Sequence, residues 1–314
     1  VSSPKADEQA DQMPPAAQTN GSGEFVPGPA LATGLGFGAI LLWSTLATLT
    51  ALKGPTVPPF QTTAITFAIG GSVLLSFAML RGRWQALVPD SRAFALALYG
   101  LFAYHALYFA ALRLAPAAEA NLVASLWALL TVLFSAMLPG QRLRGRHLLG
   151  AAIGLAAAGL LVTGAGNGAN RVAGGVHLAG LALALCCAVV WASYSVLSRL
   201  LAAVPSDSLA LPCLATAALA YACNRTFEDW SPIDGGQIWL ALTLLGIGPV
   251  GAAFLLWDIG MKHGSIATLG VLAYASPVIS TLLLVALGLA EPTLALAFAC
   301  AMMVAAAAIV MRAG

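Results

Sequence analysis

Beyond residue 30 the chain alternates long apolar runs with short polar breaks. Ten runs are read, near 31–53, 60–80, 93–113, 117–138, 147–165, 176–200, 207–223, 237–260, 265–288 and 293–311. Runs of about 20 residues, wound as helices rising about 1.5 Å per residue, match a hydrocarbon core about 30 Å thick. Connections between them are short, the longest falling between Asn224 and Gly236, so no separate soluble domain is expected. Residues 1–29 are rich in Pro, Ala, Gln, Asp and Ser and nearly free of large apolar side chains, which predicts a disordered tail. The tail has no apolar h-region of a signal peptide, and Gly21 to Phe25 resembles a cloning linker.

Composition strengthens the membrane assignment. The chain is 60% hydrophobic and only 8% charged, with mean hydropathy +0.89, whereas soluble domains carry about 25% charged residues. A net charge of +2 spread along the chain offers no basic stripe for nucleic acid. The five cysteines have no metal-ligand spacing. Cys186, Cys187, Cys213 and Cys300 sit in apolar runs and Cys223 at the edge of one, so all read as packing residues. No metal or cofactor is expected.

Lys and Arg set the orientation. With a cytoplasmic N-terminus, that side receives Lys5, Arg81, Arg83, Arg92, Arg142, Arg144, Arg146, Arg199, Lys262 and Arg312, and the far side keeps only Lys53, Arg113, Arg171 and Arg225. An even number of spans then places both termini in the cytoplasm.

The chain also repeats itself. A shift of 149 residues lays 111–138 on 260–287, with Arg113 on Lys262, Ala118 on Ala267, Leu133 on Leu282 and, just upstream, Tyr108 on Trp257. A shift of 148 lays Leu42-Trp43 on Val190-Trp191. Two halves of five helices follow, 31–168 and 174–312. Five is odd, so the second half inserts upside down. The expected fold is an all-α integral membrane protein of ten transmembrane helices in two inverted repeats, an architecture that points to alternating access with a site between the halves.

The residues now carry a resemblance. Trp43-Ser44 in the first helix, the stretch Ala115-Pro116-Ala117-Ala118-Glu119-Ala120-Asn121 opening the fourth, Leu126-Trp127 before Leu130-Thr131-Val132-Leu133, and Ser276-Pro277 followed by Glu291 are similar to the drug/metabolite transporter superfamily of the EamA type. Within it, Glu119, Asn121 and Leu126-Trp127 most resemble the YddG-type exporters of aromatic and other amino acids. Two departures stand out: Gln141 or Arg142 where an acidic residue usually follows the fourth helix, and Ala128 where that helix usually has proline. The resemblance implies a carrier of amino acids and similar metabolites.

Candidate site residues follow from helical spacing. Tyr104, His105 and Tyr108 share one face, as do Trp191, Tyr194, Ser195 and Ser198; Trp43, Ser44, Asn121, Ser125, Trp127, Trp257 and Tyr274 join them from other helices. Aromatic rings near helix centres line a cavity or pack helices, whereas Trp84, Trp230 and Trp239 near loops suit an interfacial belt. His105 is the ionisable residue nearest a helix centre, where it hydrogen-bonds substrate, relays protons or is a structural neutral imidazole. Glu119 and Asp258 fall near helix ends and read as solvated or loop-fixing. Gly246, Gly248 and Gly251 spell G-x-G-x-x-G inside an apolar run, so with Pro249 they read as a hinge rather than a dinucleotide loop; Pro277 is a second hinge. Gly150 and Gly154 form a small-residue face for packing within the bundle. Asn224-Arg225-Thr226 is a weak sequon match.

The function expected is secondary transport of a small, neutral solute. The chain has no nucleotide-binding motif, and the rival from another class, an integral-membrane enzyme, lacks the convergent carboxylates or histidines that such chemistry needs. Small-molecule substrate and membrane lipid are the expected partners, the chain is expected to be a monomer, and the expected location is the inner membrane of a bacterium.

Overall fold

A computed structural model describes residues 18–19, 25–88, 90–139, 143–164, 175–289 and 291–311. Gln141, Arg142, Arg171, Arg312, Lys5 and most of the expected tail lie outside these. Of the tail, Gln18–Thr19 pairs antiparallel with Phe25–Val26, and the first helix begins at Pro29, just after it.

The described chain is a bundle of helices. They are α1 (Pro29–Lys53), α2 (Pro59–Leu80), α3 (Ser91–Leu114), α4 (Ala117–Ala124 continued by Leu126–Ser135), α5 (Gly145–Gly164), α6 (Val176–Leu201), α7 (Ser206–Phe227), α8 (Gly236–His263), α9 (Ile266–Ala286) and α10 (Leu294–Met311). Seven of them, α1, α2, α3, α6, α7, α8 and α9, are long and apolar enough to cross a membrane. The termini follow local chemistry. Proline begins α1 and α2, where its missing N–H costs no helical bond. Asp90 caps α3 by accepting from the amides of Arg92 and Ala93, and Ser265 accepts from the amide of Thr268 to cap α9.

Several helices are interrupted. α1 breaks at Thr45, whose hydroxyl donates to Leu42 O at 2.7 Å. α3 and α8 each contain a π segment, Tyr99–Ala103 and Gly246–Ala252, the latter around Pro249. α4 breaks at Ser125 and α9 at Ala273 and Tyr274. These irregularities recur at the offset of 149 residues. Carried forward by it, the π segment of α3 falls on 248–252, the end of α3 at Leu114 falls on His263, the starts of α4 and α5 at Ala117 and Gly145 fall on Ile266 and Leu294, and Ser125 falls on Tyr274.

Packing follows the same correspondence. α2 lies against α7, α4 against α9 and α5 against α10, while α1 meets α8 as α6 meets α3. The α1–α8 crossing depends on glycine: a Cβ on Gly260 would lie 2.8 Å from Gly36 Cα, and one on Gly36 would lie 3.2 Å from Gly260 Cα. Added at Gly150 and Gly154, Cβ atoms would run into Val310 and the Tyr274 ring, so that small-residue face packs inside the chain. Asn224 of the sequon is fully buried within α7, with Nδ2 on Glu228.

Candidate functional site

A cavity of about 320 Å³ lies where α1, α3, α4, α6, α8 and α9 converge. Trp43, Leu46 and Ala47 line it from α1, Tyr104 and His105 from α3, and Ser125, Trp127 and Ala128 from α4. Trp191 comes from α6, Pro249, Val250 and Phe254 from α8, and Ala273, Tyr274, Ser276, Pro277 and Ser280 from α9. Every interruption named above except the first residues of the α8 π segment touches or adjoins this lining, which is where freed backbone groups have a polar neighbour.

Aromatic rings build the wall. Trp43 is its hub: its centroid lies 5.1 Å from Trp257, 5.5 Å from Trp191, 6.0 Å from Phe254 and 6.4 Å from Trp127. Its indole N–H donates to Pro249 O at 2.9 Å, tying the break of α1 to the π segment of α8. Tyr104 packs on Trp191 at 5.2 Å. No Asp, Glu, Lys or Arg lines the cavity among the described residues.

The sequence-predicted residues divide by depth. Trp43, Tyr104, His105, Trp127, Trp191, Tyr274, Pro249 and Pro277 line the cavity. Tyr108 stacks on Tyr104 at 6.1 Å, one layer out, and its hydroxyl donates to Asn121 Oδ1; neither residue lines the cavity. Ser44 is buried behind the lining, bonded to Ile40 O and in long contact with Ser276. Trp257 and Ser195 form a buried pair, with the indole N–H donating to Ser195 Oγ at 3.0 Å, and Tyr194 is wedged against Gly100. These three form the floor beneath the cavity rather than its surface. Gly246 is pressed against Ile69 of α2, which permits the close approach of α2 to the π segment, whereas a Cβ on Gly248 would meet only Leu42 of α1 at an ordinary 3.7 Å. Phe254, Ser276 and Ser280 also line the cavity, although the sequence reading does not place them there. Phe254 stands three residues before Trp257, so helical spacing from Trp257 is the signal that points to it.

The junction of the two broken helices is specific. With α4 interrupted, Ser125 O accepts from the amide of Ala128 at 3.3 Å rather than from Leu129. The amide of Leu129 instead donates to the Tyr274 hydroxyl at 3.2 Å. The residue at the break of α9 thus satisfies the group released by the break of α4.

Of the two roles expected for Asp258, solvated or loop-fixing, the structure has the second. Asp258 is 3% exposed, pairs with Lys262 Nζ at 2.6 Å and accepts from Ser206 Oγ at 2.5 Å. Spacing of four residues permits the pair, and the α6–α7 connection covers it, with Val204 O accepting from Lys262. At this same end Arg199 Nη1 donates to the carbonyls of Met261, Lys262 and Gly264, Arg83 pairs with Asp207, and the Ser265 amide donates to Thr33. Glu119, by contrast, is half-buried and pairs with His177 at 2.7 Å, fixing the start of α4 to that of α6.

The profile of the EamA-like transporter family matches residues 31–163 and 178–312. The chain is 52% identical over 279 residues to the aromatic amino acid exporter YddG of Ancylobacter novellus, covering 88% of this chain and 96% of that protein. It is 28% identical over 264 residues to the aromatic amino acid exporter YddG of Salmonella typhimurium, covering 80% and 87%. A protein of known crystal structure, 51% identical, superposes with TM-score 0.86 over 90% of this chain and 97% of that one. Both matched segments contribute walls to the cavity, and with nearly its whole folded length accounted for the chain belongs to the EamA-like transporter family, whose members are membrane transporters of small solutes and not enzymes.

Proposed function

We propose that the chain moves amino acids, aromatic ones included, by alternating access through the aromatic cavity, as an exporter driven by the substrate's own gradient. The single observation that carries the proposal is the wall of Trp43, Trp127, Trp191, Tyr104, Phe254 and Tyr274 around a space of about 320 Å³ with no charged lining residue among those described. That volume lies in the lower range of small-molecule pockets. Aromatic walls stack on an aromatic side chain, and the absence of a fixed charge suits a zwitterion of no net charge. The names of the two relatives point to the same substrate class.

Ten spans in two inverted halves, 31–168 and 174–312, are the architecture of this carrier. Support comes from helix starts, ends, breaks and π segments that recur at one offset, and from packing partners that exchange as a twofold axis requires. With the basic residues inside, the termini are cytoplasmic and the membrane is the bacterial inner one. The ties around Arg199 and Asp258 then close the cytoplasmic end, while the lining runs past Leu46, Ala47 and Ser280 toward the outer end. A monomeric carrier fits this arrangement, with six helices of a single chain meeting at the cavity.

The test is a panel of labelled amino acids offered to purified protein in liposomes. Saturable uptake of phenylalanine, tyrosine or tryptophan, competed by unlabelled substrate, supports the assignment; uptake confined to charged or non-amino-acid solutes overturns it.

A further inference from the structure

We propose that His105 is the hydrogen-bond acceptor for the substrate's ammonium group, so that the carrier selects amine-bearing aromatic solutes over their deaminated analogues; this rests on the cavity being the amino-acid site. His105 Nδ1 lies 2.6 Å from the carbonyl oxygen of Leu101, four residues earlier on α3. A carbonyl only accepts, so Nδ1 carries the hydrogen, and in the neutral ring Nε2 keeps its lone pair. Leu101 belongs to the π segment Tyr99–Ala103, where the regular backbone ladder is interrupted and a carbonyl can turn toward a side chain. The bond fixes both tautomer and ring orientation. It holds Nδ1 against its own helix and turns the opposite edge of the ring, with Nε2, away from the backbone.

Rings pack around the imidazole, which lines the cavity beside Tyr104 and Phe254. Phe67 meets the imidazole edge-on at 5.1 Å and Tyr104 at 5.3 Å, with Phe109 and Phe254 at 6.1 Å and 6.5 Å. No hydrogen-bond partner of Nε2 is found among the described residues. The other polar lining side chains are the indole N–H groups of Trp43, Trp127 and Trp191, which only donate, and hydroxyls, of which Ser125 donates to Asn121 O and Tyr274 accepts from Leu129; an imidazole nitrogen is a stronger acceptor than any of these hydroxyls. An ammonium entering this space therefore meets an oriented lone pair beside the π faces of Tyr104 and Trp191, which favour a cation. An isolated carboxylate meets the same lone pair unfavourably. An indole N–H is a weaker fit to the role, because phenylalanine-type solutes lack it whereas every amino acid carries the ammonium.

The experiment measures uptake of labelled phenylalanine by the full chain in liposomes, competed by unlabelled phenylalanine, by phenethylamine, which keeps ring and amine, and by 3-phenylpropanoate, which keeps ring and carboxylate. In wild type, 3-phenylpropanoate is expected to compete about 10- to 100-fold less well than phenylalanine, the range of one hydrogen bond to a charged group, and phenethylamine to compete better than 3-phenylpropanoate. In His105→Phe the gap between phenylalanine and 3-phenylpropanoate should shrink to a few-fold, and in His105→Gln, which keeps an acceptor, most of it should remain. A wild type without the gap, or a gap that survives intact in His105→Phe, overturns the proposal. If His105→Phe does not elute as a single folded species, His105→Met makes the same comparison. Wild type that takes up no aromatic amino acid instead refutes the assignment of the cavity on which the proposal stands.

Discussion

Tyr274→Phe isolates one hydrogen bond at the meeting of the two broken helices. The ring stays, so its fit against Gly154 and its place in the cavity wall are kept; only the hydroxyl that accepts from the Leu129 amide is lost. Tyr274 is 2% exposed, and Ser125 O is already engaged by Ala128, so the Leu129 amide loses its partner. Leaving a buried donor unsatisfied costs about 1–3 kcal/mol, and in lipid surroundings the cost tends to the upper end. The variant should therefore unfold more readily by about 1–3 kcal/mol in reversible denaturation from detergent or bilayer, a 5- to 150-fold change in equilibrium constant. Tyr274→Ala, which also removes the ring, should lose about 3–5 kcal/mol. Transport gives the second reading. The freed amide can be recaptured if α4 regains its regular bond from Leu129 to Ser125, which straightens the break; the balance of conformations then shifts and maximal velocity falls more than apparent affinity. A Tyr274→Phe protein with wild-type stability, within about 0.3 kcal/mol, and wild-type velocity would refute the claim that the two breaks support one another.

Three further outcomes are expected. Trp191→Ala removes a ring that touches Trp43, Trp127, Tyr104 and Phe254 and should lower uptake of aromatic substrate at least about 10-fold, since aromatic pairs contribute about 0.5–1.5 kcal/mol each; uptake equal to wild type would remove it from the site. Lys262→Met strands the buried Asp258 carboxylate and should destabilise the protein by about 3–5 kcal/mol, whereas Lys262→Met with Asp258→Leu should recover much of that in the same denaturation assay. Uptake of phenylalanine into liposomes should not become uphill when a pH step or a membrane potential is imposed, because a neutral zwitterion moves no net charge; accumulation driven by the pH step and lost in His105→Ala would make His105 a coupling residue.

Length and hydrophobicity made the helices legible because a membrane leaves the backbone little choice: each apolar run of about 20 residues must bond to itself. The offset of 149 residues was legible for a related reason, since two halves built to one plan repeat their breaks as well as their runs, and Ser125 and Tyr274 occupy equivalent positions in it. What that equivalence does at the site was not legible. Pro277 marked α9 as irregular, but α4 carries Ala128 where a proline would have given warning, and its break shows only as a serine among leucines. Helical spacing placed Trp191, Tyr194 and Ser195 together without saying how deep each lies, because spacing reports a face and not a depth. The structure separates them through partners: Ser195 takes the Trp257 N–H and Tyr194 fills the space above Gly100, leaving Trp191 as the one that reaches the cavity. Asp258 and Lys262 show the same limit at a helix end. Their spacing allowed an ion pair, but only the fold of the α6–α7 connection over them decides that they pair in the dark rather than in water. Sequence thus fixes which residues can face one another; it is the neighbouring helix that decides whether a polar group faces substrate, solvent or another side chain.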